Sequence, residues 1–175
     1  LTIWQLEDLT LSLRPYVEEL AQAFERSGLS AYYVEARARL VTYANNNLRQ
    51  LGKPLSLFDE VEAWIEGDED QPLAILGGYG SGKSSFSKRL AAHLAKRFLA
   101  DPRARRPVLI PLGVFTGQTQ LEGILGAMFT SDHEISNFSV RRFLEHNRRG
   151  RLVVILDGFD EMKHAMTFAD FRGQL

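Results

Sequence analysis

One stretch near the middle of the chain has the residue types and the spacing that a phosphate-binding loop requires. Residues 77–84 read G-G-Y-G-S-G-K-S, which fits the pattern G-x-x-x-x-G-K-[ST] at Gly77, Gly82, Lys83 and Ser84. Glycine lets the backbone turn so tightly that successive N–H groups face inward and cradle phosphate oxygens. In such a loop the lysine ammonium meets the β- and γ-phosphates, and the serine hydroxyl is a ligand of Mg²⁺. The pattern therefore predicts that Lys83 and Ser84 bind a nucleoside triphosphate and its metal ion.

The residues around these positions support the same interpretation. An apolar segment, Leu73–Leu76, precedes the loop and is expected to be a short buried strand, and a helix is expected from about Lys83 to Leu99. The positive N-terminal end of that helix would lie against the phosphates. The rest of the loop is expected to contact the nucleotide through Gly78, Tyr79, Gly80, Ser81 and Ser85. The alternative is a glycine-rich surface turn ahead of a basic helix.

A second stretch places acidic residues at the end of an apolar run. Residues 151–161 read R-L-V-V-I-L-D-G-F-D-E. A buried strand there would put Asp157 at the carboxyl edge of the sheet, where it can face Ser84 across one Mg²⁺. Asp160 and Glu161 are expected to orient or deprotonate the attacking water, because a carboxylate near a γ-phosphate can do so. The alternatives are an Asp-Gly turn and an acidic helix N-terminus.

The elements that must position these residues can be predicted from hydrophobic periodicity. Residues 1–31 are expected to be helical, with Pro15 in a first turn and Gly28 as a C-terminal stop. Residues 34–40 alternate between apolar and charged side chains, which favours a strand, and residues 44–54 are expected to form a loop. Ser56 to Asp59 resembles a capping box for a helix that Gly67 ends. Further strands are expected at 107–112 and 152–156, and further helices at 119–129 and 139–147.

Strands that alternate with helices predict an α/β fold with a parallel sheet, and uniformly apolar strands fit burial on both faces. Three parts are expected: a helical segment at 1–31, an extended segment with a loop and a helix at 32–72, and a phosphate-loop core at 73–175. The fold class is thus a three-layer P-loop NTPase core behind a helical N-terminal segment.

The segments G-G-Y-G-S-G-K-S-S-F, P-V-L-I-P-L and L-V-V-I-L-D-G-F-D-E-M resemble the NACHT branch of the STAND signal-transduction NTPases. The resemblance implies that Asp157 binds Mg²⁺ through water and that Asp160 and Glu161 support hydrolysis. It also implies ATP more often than GTP as the nucleotide, and a switch whose nucleotide state controls oligomerisation in bacterial defence or innate-immune signalling. The stretch Y-Y-V-E is similar to the family's adenine-side segment, so Tyr33 and Val34 are carried over as adenine contacts.

One departure from the family concerns the end of the chain. The family continues with a sensor arginine after the next strand, whereas this sequence ends at Leu175, and Arg172 is too close to Asp160 to be that sensor. The sheet is therefore expected to be incomplete at the C-terminus, the chain to be a piece of a longer protein, and the fragment to hydrolyse nucleotide slowly or not at all. A homo-oligomer of the full-length protein, an unidentified sensed ligand and an unidentified effector are the partners expected.

Composition excludes several other classes. The 175 residues include no cysteine, which excludes a disulfide framework and fits the cytoplasm. No apolar run is long enough for a membrane span, so no membrane partner is expected. The net charge of −1 hides an asymmetry: residues 1–72 carry 6 Lys+Arg and 13 Asp+Glu, and residues 73–175 carry 15 and 9. The basic excess is clustered in arginines at helix and loop ends, without interleaved aromatics, so nucleic acid is not an expected partner.

Two other functions remain open from the sequence. A metabolic or nucleic-acid-stimulated motor ATPase would use the same phosphate loop, and a non-hydrolysing module would bind nucleotide for assembly only. A switch would hydrolyse slowly, because its product is a conformation.

Overall fold

The computed structural model describes residues 11–44, 47–67, 71–115, 120–133, 135 and 138–159. Asp160 and Glu161, the two carboxylates predicted to support hydrolysis, lie outside the described residues, as do residues 1–10 and 160–175. None of the helices within the described ranges combines the length and the apolar character that crossing a membrane requires.

The first helix, α1, spans Arg14–Arg26 and confirms the helical prediction for this part of the described chain. Pro15 lies in its first turn, where a missing N–H costs nothing. Its apolar face is buried and includes Val17, Leu20 and Phe24. The hydroxyl of Tyr16 on the same helix donates to the carbonyl of Leu109 at 3.2 Å and accepts from its N–H at 2.9 Å. The helix is thus part of the same core as the sheet.

A β-hairpin follows, with β1 at Arg37–Ala44 and β2 at Asn47–Ser56 paired antiparallel. The predictions here are wrong in two respects: the first strand begins at residue 37 instead of 34, and residues 47–54 are a strand and not a loop. Asn, Gly and Pro in that segment favour a loop locally, but cross-strand hydrogen bonds to β1 outweigh this preference. The irregularities are accommodated by Gly52, with φ of 67°, and by a register shift between Ala38 and Leu40.

Helix α2 spans Leu57–Glu66 and confirms the capping prediction, because the hydroxyl of Ser56 accepts from the N–H of Asp59 at 3.3 Å. The helix ends at Gly67, as expected. It buries Val61 and Ile65 against the helix that follows the phosphate loop.

Helix α3 spans Lys83–Ala100, one residue longer than predicted. The sheet is formed by β3 at Arg106–Pro111 and β4 at Leu152–Asp157, which pair in parallel and confirm the two strand predictions to within one residue. The register sets Pro111 opposite Asp157, so both strands end at the same edge. This parallel pair with helices packed on it makes the fold mixed α/β, as predicted.

The expected strand at Leu73–Leu76 is wrong: residues 72–78 have no helix or strand hydrogen bonding in the described structure. Leu73 is 41% exposed and Leu76 is 64% exposed, so the segment is not buried as expected. An apolar run becomes a strand only where a second strand offers its backbone, and no described residue does so here. Ile75 alone packs against the cluster between α2 and α3.

Helix α4 spans Leu121–Gly126 and continues as a π-helix over Ala127–Asp132. The helical conformation therefore ends three residues after residue 129, where the predicted helix ended. Helix α5 spans Val140–Arg148 and is preceded by Ser139, whose side chain accepts a hydrogen bond from the N–H of Arg142. Both elements bury large aromatic side chains, Phe129 and Phe143, in the main core. They pack with α1 and the sheet and leave the start of α3 at the surface.

Candidate functional site

The candidate site is the loop at residues 77–82 together with the start of α3. Gly82 is the residue before the helix and has φ of 87°, a left-handed conformation that side chains disfavour. Its carbonyl accepts the first helical hydrogen bond, from the N–H of Phe86 at 2.9 Å. The N–H groups of the first turn therefore have no helical acceptor and are directed along the axis toward the loop, an arrangement that favours an anion.

Gly77 lies close to the side chain of Ser81. A Cβ built on Gly77 would lie 2.6 Å from the Ser81 hydroxyl oxygen, so a larger residue there would force that side chain to rotate. The turn is closed by the N–H of Ser81, which donates to the carbonyl of Gly78 at 3.3 Å. The backbone itself explains the glycines at residues 80 and 82, where φ is 73° and 87°.

Lys83 directs its side chain into this turn. Its ammonium donates to the carbonyl of Gly77 at 2.8 Å and to that of Gly78 at 3.2 Å. The positive charge therefore lies in the concave face of the loop, beside the N–H groups at the start of α3. An ammonium is a compact charge with three donors, which suits it to phosphate oxygens.

The two predicted metal ligands lie at the positions expected from the sequence. Ser84 is exposed in the first turn of α3, and Asp157 is half-buried at the carboxyl end of β4, followed by Gly158 with φ of 76°. A hydroxyl and a carboxylate are hard oxygen donors, and Mg²⁺ binds few protein ligands while retaining waters and phosphate oxygens. This donor set fits Mg²⁺. Within the described ranges, no group of three or more His, Asp or Glu side chains is arranged to hold a metal by protein ligands alone.

A cavity of about 260 Å³ lies between the loop and the segment ahead of β1. The loop side consists of Gly80, Ser81, Gly82 and Ser85, and the other side consists of Leu29, Tyr32, Tyr33, Val34 and Ala36. The structure thus brings the predicted adenine contacts, Tyr33 and Val34, to the same cavity as four of the predicted loop residues. We refer to residues 32–36 as the tyrosine wall of this cavity.

The two predicted wall residues present different surfaces. The hydroxyl of Tyr33 is buried and has no hydrogen-bond partner among the described residues, and its ring packs edge-to-face on Phe24 with centroids 5.6 Å apart. Val34 is 83% exposed. A buried hydroxyl without a hydrogen-bond partner costs free energy, because it has lost its contact with water. Tyr79, also predicted to contact nucleotide, is fully exposed at the tip of the loop.

Sequence reasoning missed three kinds of residue here. Tyr32 lines the cavity and is 88% exposed, and its place beside Tyr33 in the Y-Y pair was a usable signal. Leu29 and Ala36 carry no such signal, because their role depends on where the chain folds. Arg89 was also missed: it lies on α3 with its guanidinium 4.8 Å from the centroid of the Tyr33 ring.

Comparisons with known proteins match most of this chain to one family. Residues 71–174, more than half of the chain, match the NACHT domain family. An uncharacterized WD repeat-containing protein from Nostoc sp. (strain PCC 7120) is 28% identical over 174 residues, which cover 92% of this chain and 11% of that protein. The chain therefore spans about a tenth of the length of this curated relative. No solved structure matches the chain.

Proposed function

Because the chain belongs to the NACHT domain family of nucleotide-binding NTPases, we propose that it is the ATP-binding, Mg²⁺-dependent switch of a larger signalling protein and that it hydrolyses ATP slowly. One observation carries the proposal. The ammonium of Lys83 lies against the carbonyls of Gly77 and Gly78, at the N-terminal end of an 18-residue helix. The charge of Lys83 and the N-terminal end of the helix lie together at the loop, which is the chemistry that a triphosphate requires.

Each residue has a distinct role in this proposal. Lys83 and the N–H groups of the loop offset the charge of the β- and γ-phosphates. Ser84 and, through water, Asp157 would hold Mg²⁺, which supplies further positive charge to the phosphate oxygens. Asp160 and Glu161 would orient or deprotonate water.

The base would occupy the cavity beside the loop, against Tyr33 and Val34. The cavity borders Gly80, Ser81 and Gly82, so a base in it would be continuous with phosphates bound by the loop. ATP is proposed over GTP on the family pattern alone.

The role as a switch in defence or innate-immune-type signalling is proposed from the family. The Nostoc relative is a WD repeat-containing protein, of which this chain matches only 11%. A nucleotide-binding module inside a much longer protein with repeats fits a device in which other regions sense a ligand and drive homo-oligomerisation. The sensed ligand and the effector would then lie in those regions.

Titration of Mg-ATP and Mg-GTP into the full-length protein tests the proposal, with Lys83→Ala as the variant and Lys88→Ala as the control. Lys88 is exposed on the same helix outside the site. We expect Lys83→Ala to weaken binding by about a hundredfold, as the loss of a charge-assisted contact to phosphate does. Unchanged binding in Lys83→Ala would refute the assignment of the loop.

Hydrolysis and its stimulation separate the switch from its two rivals. Asp160→Asn should retain binding and lose hydrolysis, whereas a non-hydrolysing module would show no turnover in the wild type. A motor ATPase would be stimulated by DNA or RNA. The described arginines that pair with neighbouring acids do not favour that alternative: Arg103 binds Asp101 at 2.9 Å and Arg149 binds Glu145 at 2.5 Å.

A further inference from the structure

Arg89 joins three separate parts of the chain on one face of α3. Its guanidinium donates to the carboxylate of Glu35 at 2.6 Å, and its second terminal nitrogen pairs with the other carboxylate oxygen. The same group lies 4.8 Å from the ring centroid of Tyr33 and 4.3 Å from that of Phe58. A planar, always charged guanidinium is suited to this combination of a two-point ion pair and aromatic contacts, whereas a lysine ammonium is not.

The tyrosine wall depends on such side-chain contacts for its position. Residues 33–36 belong to no helix or strand, and the backbone contact that anchors them is the carbonyl of Ala36, which accepts from the N–H of Leu57 at 3.0 Å. Tyr33 and Glu35, ahead of that anchor, contact α3 through Arg89. Without Arg89, the wall would have fewer contacts that fix its distance from the phosphate loop.

The other side of this arrangement is a packed helix. Phe58 lies in the first turn of α2 and packs on α3 through Phe86, with centroids 6.4 Å apart, and through His93, with centroids 5.0 Å apart. Arg89 is one turn after Ser85, which lines the cavity, so the two residues lie on one face of α3. The guanidinium is thus held by a packed element and can in turn hold the wall.

We propose that Arg89, paired with Glu35, is a positioning residue that fixes the tyrosine wall against α3 and so determines the affinity of the site for the base of the nucleotide, but not for its phosphates. The inference rests on the proposed function, because it assigns the cavity beside the loop to the base. Arg89 contacts neither the loop carbonyls nor Lys83 in the described contacts, so the phosphate-binding geometry does not depend on it.

The test compares two ligands that share phosphates and differ in the base. Mg-ATP and Mg-tripolyphosphate are titrated into the full-length protein and into Arg89→Gln. We expect the affinity for Mg-ATP to fall about tenfold, the combined size of a partly exposed ion pair and cation–π contacts, and that for Mg-tripolyphosphate to stay within about twofold. The matched control is Arg97→Gln, which removes an ion pair of 2.8 Å between α3 and Glu66 away from the cavity. It should change neither affinity.

The outcomes separate this inference from the proposed function. A parallel loss of both affinities in Arg89→Gln would overturn it, since Arg89 would then support the phosphate loop. An unchanged affinity for Mg-ATP would also overturn it. If the wild type binds neither ligand, the proposed function itself fails. Where Arg89→Gln does not fold, Glu35→Gln decides: it keeps the arginine and its aromatic contacts, and we expect a loss of about threefold for Mg-ATP alone.

Discussion

Replacing Tyr16 with phenylalanine should destabilise the whole domain through the loss of one oxygen atom. Tyr16 is 4% exposed, and its hydroxyl serves both the N–H and the carbonyl of Leu109 on β3. It therefore supplies the hydrogen bonds that a neighbouring strand would supply to this position. Phenylalanine retains the ring, which packs edge-to-face on Phe129 with centroids 5.2 Å apart. The substitution thus isolates the hydrogen bonds from the packing.

The magnitude follows from the two backbone groups left without that partner. A buried donor or acceptor without a partner costs about 1–3 kcal/mol, and partial relaxation at the half-buried Leu109 brings the expected total to about 2 kcal/mol. For a chain of this length that loss lowers Tm by about 4–8 °C. Urea unfolding followed by far-UV circular dichroism measures it as a lower midpoint at an unchanged slope. Tyr32→Phe, at a residue that is 88% exposed, is the control and should stay within about 0.5 kcal/mol.

A pH titration supplies an independent check of the same environment. Burial raises the pKa of Tyr16 well above its ordinary value, with the neighbouring Glu19 adding to the rise. The unfolded chain therefore loses the phenolic proton near pH 10 while the folded chain keeps it, so the stabilisation is full below that pH and declines as the pH rises through about 10. This decline should be smaller in Tyr16→Phe. Equal stability of the wild type and Tyr16→Phe at pH 7 would refute the reasoning.

Two further substitutions test the site and the elements that carry it. Gly82→Ala places a side chain at φ of 87°, where no atom lies within 4 Å of the new Cβ, so backbone strain of about 1–2 kcal/mol is the expected effect and should weaken Mg-ATP binding about tenfold. Gly78→Ala is the control, because this loop glycine has no positive φ. Equal effects of the two substitutions in calorimetric titrations would contradict the strain argument. Ser56→Ala removes the cap of α2 and should lower the free energy of unfolding in urea by about 1 kcal/mol. Ser56→Asp can still accept the hydrogen bond and should retain most of that stability. An equally large loss in Ser56→Asp would exclude capping as the cause.

The phosphate loop and the helix after it could be predicted closely because their signals are local. Left-handed backbone at Gly82 favours glycine, and the apolar spacing of α3 repeats within a few residues. The conformation of Leu73–Leu76 could not be predicted correctly from the same kind of signal, because the structure has no strand there. Its apolar run is equally compatible with extended chain, and pairing decides between the two.

The hairpin and the tyrosine wall show the same limit in other ways. The residues of β2 include Asn47, Gly52 and Pro54, whose individual preferences favour a loop, yet the backbone of β1 at matching register makes them a strand. Tyr33 was assigned to the base by resemblance. Its ring packs on Phe24 and contacts Arg89, which is 56 residues further along the chain, and no local pattern links Tyr33 to Arg89.

The sequence by itself predicted which residues bind phosphate and, to within one residue, determined where the two strands of the parallel sheet begin and end. Glycine turns, helix periodicity and apolar runs act over a few neighbouring residues, so these features can be read locally. It also determined the charge asymmetry, with 13 Asp+Glu and 6 Lys+Arg in residues 1–72. Only the tertiary structure decided how those charges meet. Three basic residues of α3 pair with acids of the first part of the chain: Lys96 with Glu25, Arg89 with Glu35 and Arg97 with Glu66. Such exposed pairs each contribute at most about 1 kcal/mol. Their partners are set by the packing of the core, which brings distant segments together and so cannot be read from their spacing in the chain.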